Sequence, residues 1–231
     1  MEGLDKYLTD EPNTREQKRT PKLDLRNCDC MELMAQFKDK YFDLAIVDPP
    51  YAVGDTFRFG SSGAVKGKLE RIHKPITWDE AIPTPEYFTE LKRVSKNQII
   101  WGANYFNCFS EKGGALVWYK NRGGDTMSQC EIASVSWQRK VDYVPLQILT
   151  GFCSNEERIH PTQKPVRLYN YILEQYATKE SKILDTHLGS GNIGIVCYFY
   201  GVDLVGSEID KEYFDKLKKN IKDNTRQTSL F

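Results

Sequence analysis

The stretch Lys182-Ile-Leu-Asp-Thr-His-Leu-Gly-Ser-Gly-Asn-Ile-Gly-Ile-Val-Cys-Tyr-Phe-Tyr-Gly-Val-Asp-Leu-Val-Gly-Ser207 decides the fold. Its apolar run Lys182–Asp185 reads as a strand, and a glycine-rich turn follows. A helix is expected over Asn192–Tyr200, a strand over Leu204–Ser207 and a helix over Lys211–Ile221. This is a βαβα unit, and strands alternating with helices build a parallel sheet within an α/β domain. Upstream, Phe42-Asp-Leu-Ala-Ile-Val47 is apolar on both faces, as suits a central strand covered on both sides. A helix around Met31–Phe37 feeds it. Further helices are predicted at Pro85–Val94 and after Pro165, which suits a first helical turn. Val166, Tyr169, Ile172, Leu173 and Tyr176 mark one face of that helix at helical spacing. Strands are predicted at Gln98–Trp101, Ala115–Tyr119, Glu131–Trp137 and Val144–Leu149. Asn104–Gly114 reads as turn-like and Gly151–His160 as a loop.

Residues 1–22 are polar and rich in charge, and read as an arm; residues 23–231 read as one domain. Residues 52–77 change character. Four glycines and two serines sit among Arg58, Lys66, Lys68, Arg71 and Lys74. A loop of that length inside a compact domain is usually functional or disordered. Here it is expected to be mobile. The 32 Lys and Arg balance 32 Asp and Glu, so no global basic charge announces nucleic acid, although a local stripe suffices. The six cysteines have no zinc spacing and read as reduced thiols of a cytoplasmic protein. No apolar run reaches the ~20 residues of a membrane span, and no signal peptide is apparent. Trp101, Trp118 and Trp137 read as core.

The glycine turn Gly189-Ser-Gly191-Asn-Ile-Gly194 has two readings. It matches the dinucleotide fingerprint, and Glu208 follows about 20 residues on, where a carboxylate takes ribose hydroxyls. Yet Thr186, His187 and Leu188 separate the strand end from the first glycine. A pyrophosphate binder brings its first glycine almost straight off the strand. Asp185 would repel phosphate and suits a cationic ligand. Gly63-Ala-Val-Lys-Gly-Lys68 has the wrong spacing for a P-loop.

A second signal is Asp48-Pro-Pro-Tyr51, at the end of the central strand. Its prolines fix the turn and lack N–H groups, so it offers acceptors. The Asp48 carboxylate and the Pro49 carbonyl can take the two protons of an exocyclic amine, while Tyr51 covers the flat base. Pro50 stiffens the turn. A base inside a duplex cannot be reached this way and must be flipped out.

In order and content these motifs resemble the S-adenosylmethionine-dependent DNA amino-methyltransferases that modify adenine N6 or cytosine N4. The motif order resembles the permuted β-type group. The catalytic tetrapeptide precedes His160-Pro-Thr-Gln-Lys-Pro165, and the cofactor turn comes last. The resemblance covers roughly residues 25–51, 78–120 and 158–222. It implies a Rossmann-like methyltransferase fold, a mostly parallel central sheet flanked by helices, with a small target-recognition insertion at about 121–157. It assigns the cofactor S-adenosylmethionine to Asp29, Thr162, Lys164, Asp185, His187, Gly189, Gly191, Asn192, Glu208 and Ile209. It implies a double-stranded DNA substrate, contacted by Arg58, Lys66, Lys68, Arg71, Lys74 and Arg122, a possible homodimer, and no metal. Asp in the first place of the tetrapeptide suits adenine; similar cytosine enzymes more often carry Ser there. The chain departs from the common pattern at Asp185-Thr-His187, often Asp-Pro-Phe, and at Gly191-Asn-Ile193, often Gly-Thr-Thr. An NAD-dependent Rossmann enzyme and a catalytically silent nucleic-acid-binding subunit are the rivals from other classes.

Overall fold

A computed structural model describes residues 20–52, 82–120, 128–144, 159–160 and 162–226. Eight strands form one sheet: β1 (Leu23–Arg26), β2 (Phe42–Val47), β3 (Ser95–Trp101), β4 (Ala115–Tyr119), β5 (Cys130–Val135), β6 (Val141–Val144), β7 (Lys182–Asp185) and β8 (Asp203–Ser207). The helices are α1 (Cys30–Met34), α2 (Pro85–Val94), α3 (Ala103–Phe106), α4 (Val166–Tyr176), α5 (Asn192–Tyr200) and α6 (Lys211–Thr225). The strand order is β1-β8-β7-β2-β3-β5-β4-β6. Pairing is parallel from β1 through β3. β5 runs antiparallel to β3 and to β4, and β6 is parallel to β4.

The side chains of β2 account for its central place. From Leu44 to Val47 alternate residues enter opposite cores. Leu44 and Ile46 join Trp101, Leu168, Ile172 and Leu217 on one face, while Phe42, Ala45 and Val47 join Leu33, Tyr87 and Leu91 on the other. A strand buried on both faces is apolar along its buried length, and Asp43, near the start of β2, is partly exposed. α5 lies against β1 and β8 and between α4 and α6, so all its residues from Asn192 to Cys197 are buried and it carries no polar face.

Several boundaries differ from the expectations. β1 was not anticipated. Its four residues are partly exposed and gain their order by pairing with β8, so its short pattern carries little signal. Turn-like Asn104–Gly114 contains the last residues of α3, a single turn between Gly102 and Asn107, both with left-handed φ. β6 ends at Val144, where the last predicted strand was expected to begin, and residues 145–149 lie outside the described residues, as do Trp78, most of the 52–77 loop, most of the N-terminal arm and parts of the 121–157 region. Trp101 and Trp118 are core residues, and Trp137 packs edge-on against Tyr176. No helix among the described residues is long and apolar enough to cross a membrane.

Candidate active site

The parallel strands all end on one side of the sheet. Going along the chain, β2 leads away to β3 on one side and β7 leads to β8 on the other. The crevice above β2 and β7 is therefore a topological switch point, where open α/β sheets bind ligands. A cavity of about 270 Å³ opens there. Five chain turns wall it: Cys28–Cys30 after β1, Asp48–Tyr51 after β2, His160 and Thr162–Lys164 before α4, Thr186–Ser190 after β7, and Glu208–Ile209 after β8.

Asp48, Pro49, Pro50, Tyr51, Asp29, Thr162, Lys164, His187, Gly189, Glu208 and Ile209 thus line one cavity, as the sequence reading grouped them. Asp185, Gly191 and Asn192 do not line it. Asp185 lies 1% exposed beneath the floor and accepts from the His187 N–H at 3.0 Å. Burial pushes its carboxyl up to about 7. Gly191 caps α5 at φ +75°, and a Cβ there would press on Leu217 and Ile221 of α6. The Asn192 amide donates to the Lys164 carbonyl at 2.9 Å and its oxygen accepts from Asn220 at 3.1 Å, which ties α4, α5 and α6 together. These two residues shape the wall from behind. Arg58, Lys66, Lys68, Arg71, Lys74 and Arg122 lie outside the described residues.

The rim opposite the tetrapeptide is acidic. Glu208 follows β8, and its carboxylate accepts from the Gly189 and Asp210 N–H groups, each at 3.0 Å. Burial raises its proton affinity, opposed by those N–H groups. Asp29 caps α1 by accepting from Met31 and Glu32. His187 packs edge-on to Tyr87, and the Thr186 hydroxyl bridges the two, 2.7 Å from the Tyr87 hydroxyl and 2.9 Å from His187 Nδ1. Enclosure lowers the imidazole to about 4, so it is neutral at pH 7.

The tetrapeptide carries the most concentrated charge. Tyr51 donates its hydroxyl to Asp48 Oδ1, and Lys164 Nζ pairs with Asp48 Oδ2. Lys164, 4% exposed, is not a solvated cap. It also faces Glu131 Oε2 at 3.2 Å, and Glu131 Oε1 faces Lys120 Nζ at 3.0 Å. Burial pushes the Asp48 carboxyl above the usual carboxylate range, with Lys164 opposing. For Glu131 burial also acts upward, but Lys164 and Lys120 outweigh it and hold the group low. Lys164 is raised: burial disfavours its charge, and Asp48 and Glu131 overcome that. Glu131 and Lys120 were missed from sequence. The signal was a cross-strand pair of opposite charge, visible only once Trp118 is set opposite Glu131 in the β4–β5 register.

Tyr51 stacks on the half-exposed Tyr105, with ring centroids 5.0 Å apart at 22°, and meets Phe106 edge-on. Gly102 lies directly under the Tyr51 ring.

Comparison with known proteins agrees with this geometry. Residues 136–219 match the DNA methylase family model. A putative methylase, YubD, of Escherichia coli strain K12 is 24% identical over 205 residues, 80% of this chain and 84% of its own. The type II methyltransferase M2.LlaDCHI of Lactococcus lactis subsp. cremoris is 25% identical, over 85% of this chain and 88% of its own. These similarities support an S-adenosylmethionine-dependent DNA amino-methyltransferase. The fold agrees with two crystal structures. M1.HpyAVI in complex with SAM superposes with a TM-score of 0.58 at 20% identity, covering 85% of this chain and 98% of that one. The cytosine-N4-specific PvuII DNA methyltransferase gives 0.57 at 11% identity, covering 90% and 91%.

The cavity's chemistry fits the family cofactor. Asp29, Asp48 and Glu208 present carboxylates, and the single lysine in the lining is already shared between two carboxylates. That donor set suits a ligand with a cationic centre and ribose hydroxyls. It would repel the pyrophosphate of a dinucleotide, and this counts against the NAD reading.

Proposed function

We propose that this chain methylates adenine at N6 in a short sequence of double-stranded DNA, with Asp48–Tyr51 as the catalytic turn. The observation that carries the reading is the ionic setting of Asp48. Its carboxylate sits at the cavity wall between an ammonium and a tyrosine hydroxyl, both of which favour its ionised, accepting form. An exocyclic amine is a poor nucleophile because its lone pair is delocalised into the ring. Asp48 and the Pro49 carbonyl each take one amino hydrogen, which draws the nitrogen toward a tetrahedral shape and frees the lone pair. The cofactor, when bound, supplies an electrophilic methyl on a good leaving group. The protein's share is thus orientation and electrostatics. Once methylated, the nitrogen is acidic, and Asp48 need only be near to receive the proton. Tyr51 and Tyr105 form an aromatic stack beside the tetrapeptide; stacking a base on an aromatic ring is worth about 1–3 kcal/mol.

Glu208 is assigned to the ribose hydroxyls, with Asp29, His187, Gly189 and Ile209 around the nucleoside. Adenine is favoured over cytosine by Asp in the first place of the tetrapeptide. Residues 52–77 and about 121–157 are assigned to DNA contact and target recognition.

The test is transfer of labelled methyl from S-adenosylmethionine to unmethylated bacterial DNA, read by nucleoside mass spectrometry. Labelled N6-methyladenine is expected. N4-methylcytosine would keep the mechanism and overturn the base. Cofactor binding without DNA label would move the substrate to RNA or protein. Absence of cofactor binding would leave a silent subunit.

A further inference from the structure

Four side chains of alternating charge run from the catalytic turn into the antiparallel half of the sheet: Asp48 after β2, Lys164 before α4, Glu131 on β5 and Lys120 after β4. The chain's net charge is zero, so it can be buried without an uncompensated ion. Lys164 is its hinge. The ammonium is 3% exposed and roofed by the Trp101 and Tyr51 rings, 5.2 and 5.8 Å from their centroids. The Tyr51 hydroxyl lies 3.4 Å away. A lysine stem has four rotatable bonds, so one partner does not fix its end. Two carboxylates on different elements do.

We propose that Lys164 is a positioning residue, which holds the Asp48 carboxylate in place as an acceptor-only group, and that Glu131 is its second anchor. The inference rests on the role given to Asp48 above and assigns the control of it to residues outside the tetrapeptide. The groups facing Asp48 explain why control is needed. Burial most, and then the Glu131 carboxylate, disfavour a negative charge there; the Tyr169 hydroxyl on α4 and the Asp185 carboxyl on β7 also face it. Against them stand the Lys164 ammonium and the Tyr51 hydroxyl. Without the ammonium Asp48 would take up a proton and become a donor, unfit to accept from an amine.

The lysine and its second anchor should therefore act in opposite directions on the charge of Asp48. The test follows the Asp48 carboxyl by carbon NMR in protein labelled at the aspartate side chains, assigned by loss of its signal in Asp48→Asn. Lys164→Met is expected to raise the pH at which Asp48 is protonated by about one unit or more. Glu131→Gln, which removes a repelling charge, is expected to leave that pH unchanged or lower it. The acid limb of kcat for methyl transfer should follow the same two directions. Glu131→Gln should still lower kcat by about tenfold through the loosened lysine, with the S-adenosylmethionine Kd unmoved in both variants. An Asp48 titration in Lys164→Met identical to wild type would overturn the proposal. So would a weakened cofactor Kd with an unmoved titration, which would return Lys164 to the cofactor. The NMR arm needs neither DNA nor turnover. Failure of wild-type transfer would thus defeat the proposed function while leaving this inference to the titration. If Lys164→Met does not fold, Lys164→Gln takes its place in the titration, with the same shift expected and the same outcome overturning the proposal.

Discussion

Asp48 is a residue whose removal should separate chemistry from binding. Asp48→Ala deletes the acceptor but leaves Glu208 and the glycine turn across the cavity intact. Methyl transfer is expected to fall by about 100-fold or more, with the cofactor Kd little changed; isothermal titration beside a transfer assay checks both. Loss of both would mean that Asp48 supports the fold. Asp185 makes a different prediction, on pH. Its folded carboxyl titrates near 7, far above an unfolded aspartate, so the folded state holds more protons than the unfolded one between about 4 and 7. Its contribution to stability is therefore complete at low pH and is lost as pH rises through that window. His187, lowered to about 4, has the opposite slope between about 4 and 6.5. The two largely cancel in the wild type. Asp185→Asn should expose the histidine slope: the stability of the variant relative to wild type should climb from pH 4 to 7 and then level, as urea melts at stepped pH would show. A constant difference would mean that Asp185 is not titrating there. The types of residue at the site were legible in the sequence because the tetrapeptide and the glycine turn each do a recognisable chemical job. Glu131 and Lys120 were not, because an isolated Glu in an apolar strand has no meaning until its partner is placed beside it.

The elements matter through how they meet. α3 is too short to hold itself. It is set by Gly102, whose φ of +72° turns the chain directly beneath the Tyr51 ring. Gly102→Ala puts a methyl into that ring and a side chain into left-handed backbone. A loss of about 1–3 kcal/mol is expected, with lowered kcat because Tyr51 must move; denaturant melts and a transfer assay measure the pair. Unchanged stability would mean that the ring has room. The junction of α4, α5 and α6 hangs on the Asn192 amide. Asn192→Ala leaves the Lys164 carbonyl without that donor, and about 1–3 kcal/mol should be lost, together with a higher cofactor KM as the wall loosens. Helices α2, α4, α5 and α6 were legible because each is long enough for its pattern to speak, and α5 reads as apolar all round for the reason that it is enclosed. β1 and α3 were not, since each owes its order to a neighbour distant in sequence, β8 in one case and the Tyr51 ring in the other.

For the whole molecule, the order of the strands does what no single motif can. The tetrapeptide and the glycine turn are 138 to 146 positions apart by residue number, yet they close on one cavity because β2 and β7 are neighbours in the sheet. The balance of 32 basic and 32 acidic residues sets a second whole-molecule problem. A chain with no net charge gains affinity for a polyanion only from a local excess of cations. Residues 52–77 carry one, five Lys and Arg against two Asp and Glu, directly after Asp48–Tyr51 in sequence. If that excess grips phosphates, each cation engaged releases a counterion, and the dependence of log K on log salt steepens by about 0.9 per contact. Replacing Lys66, Lys68 and Arg71 together with Gln should then weaken DNA binding at low salt and flatten the slope by up to about 2.7, as fluorescence anisotropy over a salt series would measure. Cofactor binding should be unaffected, since none of the three is among the residues assigned to the cofactor. A slope equal to that of the wild type would assign the neutralisation of DNA to other cations of the chain and leave these three as solvated charges.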